Sequence, residues 1–145
     1  MQISDLLGHK GSSEVVSILP SETLGAAAKK LTEHRIGALV VRDRIGRIVG
    51  MLSERDLVIA LSQHGANAVT TPVSEAMTPE VITCRPGDAV RDLMALITAK
   101  RIRHIPVCEG ERLLGIVSIG DVLKSRIDEK ELELNMLRDL SIARV

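Results

Sequence analysis

Gly50-Met51-Leu52-Ser53-Glu54-Arg55-Asp56 returns 65 residues later as Gly115-Ile116-Val117-Ser118-Ile119-Gly120-Asp121. Each copy runs from a short apolar stretch into Ser-x-x-Asp, a pattern that opens a helix. Upstream of the first copy stands Ile36-Gly37-Ala38-Leu39-Val40-Val41, and upstream of the second Ile102-Arg103-His104-Ile105-Pro106-Val107. Turns separate the pieces at Asp43-Arg44-Ile45-Gly46 and at Glu109-Gly110. Further back, Leu24, Ala27, Ala28 and Leu31 correspond to Val90, Leu93, Met94 and Ile97. Both sets follow i, i+3, i+4, i+7, the spacing of one buried helix face. Pro20 and Pro86 are 66 residues apart, so the second turn has lost one residue.

A repeat of this kind is one supersecondary unit used twice. Each half reads strand, helix, strand, strand, helix. The class is therefore α/β (α+β), with two β-α-β-β-α repeats. One unit alone has little apolar surface to bury, so the two are expected to pack sheet against sheet over a shared core. The expected boundaries are 10–70 and 77–132. The joint at 62–80 carries Gly65, Pro72 and Pro79, with room for a short helix at 73–77. Ser21 and Asp88 are the expected N-caps of the first helices. A separate helix is expected over 127–145, with Leu132, Met136 and Leu140 at i, i+4 spacing; 133–145 forms a C-terminal helical tail.

Composition narrows the function. Lys+Arg and Asp+Glu are both 19 in 145 residues, so no net field draws the chain to nucleic acid or to an anionic membrane. There is no Phe, Tyr or Trp, which removes the stacking platforms of single-stranded nucleic-acid binders. Cys84 and Cys108 form no CxxC and read as reduced, small apolar side chains of a cytoplasmic protein. The start of the chain lacks a signal-peptide pattern. His9, His34, His64 and His104 do not fall at metal-ligand spacings. No phosphate loop, dinucleotide fingerprint or nucleophile motif is present, and the expectation is a chain with no catalytic residues and no metal.

Two chemistries suit Ser-x-x-Asp. A carboxylate at a helix start accepts the two hydroxyls of a ribose, while the helix N–H groups and the Ser hydroxyl suit a phosphate. The same residues also form a capping box that merely ties down the helix. Asp56 has Arg55 beside it, while Arg101, Arg103 and His104 cluster 45 or more residues further on; guanidinium groups favour a phosphate tail, or else sit as solvated charges at strand ends. Asp121 has the uncharged neighbours Ile119 and Gly120. Pro106 lacks a backbone donor, so its strand should lie at an edge or stop pairing there.

The duplicated pattern resembles the cystathionine-β-synthase (CBS) domain pair, in particular short bacterial proteins made of little else. The resemblance implies two clefts between the halves that hold an adenine nucleotide such as AMP, ATP or NAD(H). One cleft would use Ser53, Arg55 and Asp56 with Thr83, Ile102, Arg103, His104, Ile105 and Pro106. The other would use Ser118 and Asp121 with Ser17, Gly37 and Ala38. Val40 stands where Pro106 stands in the second half, a departure from the family pattern that weakens the second set. The resemblance further implies a homodimer and a regulated partner protein. The alternative is an interaction dimer whose clefts are vestigial.

Overall fold

A computed structural model describes residues 1–8 and 15–143. The expected start of the first repeat at residue 10 lies outside them. The elements are α1 (Ile3–Leu7), β1 (Ser17–Ile18), α2 (Leu24–His34), β2 (Ala38–Arg42), β3 (Ile48–Ser53), α3 (Glu54–His64), α4 (Val73–Ala76), α5 (Val90–Lys100), β4 (His104–Glu109), β5 (Arg112–Ser118) and α6 (Ile119–Ala143). A 3-10 helix, Gly65–Thr70, joins α3 to α4.

Both halves fold as the repeat predicts. In the first, β1 runs parallel to β2, and β2 antiparallel to β3. In the second, β4 pairs antiparallel with β5, and the counterpart of β1 shrinks to a single parallel bridge, Cys84 to Val107. Pro106 explains the difference. Its carbonyl accepts from Cys84 N at 3.0 Å, so its nitrogen faces the same side and has no proton to donate there. Pairing with β5 continues through Pro106 opposite Ile116. The strand is weakened on one side only.

Helix starts correct two expectations. The N-cap of α2 is Thr23, whose hydroxyl accepts from Ala26 N at 3.2 Å, and Ser21 lies in the turn before it. The N-cap of α5 is Ala89, without a side-chain cap bond. Asp88 instead accepts from Arg85 N at 2.8 Å and closes the preceding turn.

The core is two clusters rather than one. Ile18, Leu24, Leu31, Leu39, Val41 and Leu52 fill the first half, and Val90, Leu93, Ile105, Val107, Val117 and Val122 the second. Successive strand residues point to opposite faces, so Ala38, Val40 and Pro106 face away from their own clusters. They are nevertheless buried, and the two halves meet beside them. At that seam the His104 ring lies against Gly37: a Cβ built there would stand 3.2 Å from His104 Nε2.

The short helices are exchanged. α4, which follows the first half, returns to it through Val73 N to Glu22 O (2.8 Å) and Ser74 N to Pro20 O (3.0 Å). α1, at the start of the chain, docks on the second half through Ile3 N to Asp88 O and Ser4 N to Pro86 O, both 2.9 Å. The acceptors are repeat equivalents. Each helix also covers a strand glycine. A Cβ on Gly50 would come within 2.6 Å of Met77 Sδ, and one on Gly115 within 2.7 Å of Leu7 Cδ2.

The expected separate helix beginning at 127 is a correction. α6 runs unbroken through 25 residues from Ile119. In the first half Gly65, at φ 58°, ends α3. The equivalent position in the second half is Lys130, which continues the helix.

Candidate functional site

Both Ser-x-x-Asp motifs form the same hydrogen-bonded unit. Asp56 Oδ2 accepts from Ser53 N (2.8 Å) and Ser53 Oγ (3.0 Å), while Asp56 N donates to Ser53 Oγ at 3.3 Å. Asp121 repeats this with Ser118 at 2.8, 3.0 and 3.2 Å. The capping reading is therefore realised in both halves. It occupies one carboxylate oxygen. The Asp56 hydrogen bonds given by the structure all fall on Oδ2, which leaves Oδ1 to a further donor. Both Asp side chains are half-buried.

Each helix start is tied to the residue just before the strand that follows the first long helix of its own half, β2 or β4. Glu54 N donates to Gly37 O at 3.0 Å, and Ile119 N to Arg103 O at 2.9 Å. The Gly37–His104 contact then joins one half to the other. The resemblance assigned Gly37 and His104 to different clefts; in the structure these two strand starts are neighbours. Glu54 belongs to the same cluster, its carboxyl carbon 4.0 Å from the position of a Gly37 Cβ. Arg55 and Arg103 are exposed, His104 is half-buried, and Ile105, Pro106 and Ala38 are buried.

The two outer strand positions differ. Ser17 pairs with Val40, and its carbonyl receives Lys30 Nζ at 2.8 Å. Thr83 is exposed beside the Cys84 bridge. A cavity of about 370 Å³ opens beside Gly37 and Glu54, lined also by Thr32, Arg35 and Leu57. A second, about 500 Å³, lies between Gln2, Arg91, Ser125 and Arg126. Neither of these two gathers the whole of a predicted residue set.

Lys30, Arg35 and Glu54 were not singled out from sequence. Arg35 and Arg101 are repeat equivalents and both hold the left-handed conformation at helix ends, at φ 53° and 54°. Asn or Gly at those positions would have marked them; Arg does not. Lys30 sits on an ordinary helix face, and only the fold brings it to Ser17.

Neither cysteine is disulfide-bonded. Burial pushes the Cys84 thiol up to about 12, with Asp88 and Cys108 adding to the effect. Burial also raises Cys108, against the opposing charge of Arg42. Among the described residues no helix is long and apolar enough to cross a membrane.

Two repeats, two matching helix-start carboxylates and a seam between paired strand starts define a tandem regulatory module. The CBS domain family profile matches residues 3–63 and 73–128, and the chain belongs to that family. It is 37% identical over 142 residues to the mitochondrial CBS domain-containing protein CBSX3 of Arabidopsis thaliana, covering 93% of this chain and 69% of that one. It is similar to the crystal structure of the CBS-domain protein ATU1752 of Agrobacterium tumefaciens, with 45% identity and a TM-score of 0.82 over 86% of this chain and 92% of that one. A further similar structure is the CBS domain pair of protein MJ0100 in complex with 5′-methylthioadenosine and S-adenosyl-L-methionine, at 28% identity and TM-score 0.76, over 90% and 98% of the chains.

Proposed function

We propose that this CBS pair is a regulatory sensor that binds an adenine nucleotide, AMP, ATP or NAD(H), between its halves and transmits occupancy to a partner protein. The observation that carries the reading is the doubled helix-start carboxylate, each tied to a strand start, with the strand starts joined across the seam by Gly37 and His104. Asp56 Oδ1 would receive a ribose hydroxyl, and Arg55 and Arg103 would meet phosphate. The adenosine compounds held by the MJ0100 pair support the ligand class. The chain acts as a binder rather than a catalyst, as a homodimer, in the cytoplasm; two free thiols support a reducing compartment. Binding can bias the partner only by as much as the ligand prefers one state of the module.

A second reading has its own observation. Because each Asp already satisfies a capping box, the clefts of an interaction dimer could be vestigial. Calorimetric titration of nucleotide-stripped protein with AMP, ADP, ATP, NAD⁺, NADH and S-adenosylmethionine separates the two. Micromolar binding of one adenylate supports the sensor. No heat with any of them overturns it in favour of the interaction dimer.

A further inference from the structure

The family match ends at residue 128, but α6 continues to Ala143. Every residue from 126 to 142 is exposed. Ile127, Leu132, Leu134, Met136, Leu137 and Leu140 are each more than half open to solvent. A free helix of this length does not keep so many large apolar side chains in water without a covering surface.

Their spacing and charge identify the cover. Ile127, Lys130, Leu134, Leu137 and Ser141 alternate in steps of three and four, the seam of a two-stranded coiled coil. Ile119 and Leu123, both exposed, extend the same face back to the folded body. Two such helices aligned in parallel set Arg126 against the partner's Glu131, and Glu133 against the partner's Arg138. Both flanking pairs are of opposite sign. The other stripe, Leu132, Met136 and Leu140, has the reverse property: pairing along it would set Asp128 against the partner's Glu133. Lys130 lies on the favoured seam, but its stem is apolar and its ammonium already reaches Glu133 at 3.3 Å.

We infer that the C-terminal half of α6 is a self-recognition segment, which pairs in parallel with α6 of a second copy along Ile127, Leu134 and Leu137. About two heptads are too short to hold together alone. The pairing therefore rests on the homodimer of the proposed reading, whose body raises the effective concentration of the tails. It does not depend on either cleft holding a ligand.

The test uses the full chain with Cys108→Ser, so that Cys84 is the only remaining native thiol and is buried. Ser141→Cys is added on the seam, and Met136→Cys off it in a control. Mild oxidation and non-reducing electrophoresis read the disulfide; sedimentation equilibrium reads the mass. The expected result is a dimer that crosslinks through position 141 far more than through 136. Leu134→Lys with Leu137→Lys should weaken association by about tenfold or more. The single reversal Arg138→Glu should weaken it, and Glu133→Arg on the same chain should restore it. A dimer that crosslinks no better through 141 than through 136 overturns the tail inference and leaves the homodimer standing. A monomer at all concentrations overturns both.

Discussion

Asp56 Oδ2 takes both the backbone N–H and the hydroxyl of Ser53, at 2.8 and 3.0 Å. The carboxylate that would hold a ribose is therefore also the fastening of α3. Structural and binding roles share one side chain, and substitutions must be chosen to separate them.

Asp56→Ala should lower stability by about 0.5–2 kcal/mol, the usual cost of losing a cap. It should also weaken adenylate affinity about tenfold to a hundredfold, through the loss of a charged hydrogen-bond acceptor. Ser53→Ala removes the cap and spares the carboxylate. Chemical denaturation and calorimetry on both variants provide the check. Because Ser53 also belongs to the proposed ligand set, the carboxylate role requires Asp56→Ala to lose more affinity than Ser53→Ala at equal loss of stability.

Gly50→Ala should cost about 1–3 kcal/mol, because the new methyl meets Met77 Sδ at 2.6 Å and Thr78 O at 3.1 Å. Met77→Ala in the same chain should recover part of the loss, the remainder being set by the Thr78 carbonyl. Gly115→Ala meets only Leu7 and should be milder. Thermal unfolding of the three variants measures the order.

Cys84 should resist alkylation in the folded protein at neutral pH, since its thiol stays protonated up to about 12. Cys108, half-exposed, should label first. The raised pKa also fixes the sign of an alkaline effect. The unfolded thiol ionises near its ordinary value of 9.0 and the folded one near 12, so the contribution of Cys84 to stability is complete below 9 and lost as pH rises through that window. Cys84→Ala should flatten the fall in melting temperature over the same range.

Lys30→Ala should loosen β1, because the Ser17 carbonyl loses a 2.8 Å charged donor. The expected cost is about 1 kcal/mol, below the usual range for a charged bond because Lys30 is only partly buried. Hydrogen exchange at Ile18 should rise more than at Leu39, which lies in the central strand of that sheet.

Periodicity was enough to determine the two repeats and the order of their elements. Repeated apolar spacing specified which faces of α2 and α5 are buried, and the doubled Ser-x-x-Asp specified both capping boxes, because these are local consequences of residue order. Pro106 likewise announced the weakened strand edge. Tertiary structure decided what depends on residues far apart in the chain. It set α1 on the second half and α4 on the first, since the acceptors at Pro20, Glu22, Pro86 and Asp88 become available only when the turns before α2 and α5 are folded. It brought His104 against Gly37 and Lys30 against Ser17, contacts between surfaces with no mark in the local pattern. The continuity of α6 through residue 127 is by contrast a local matter: the second half has Lys130 where the first has the helix-ending Gly65.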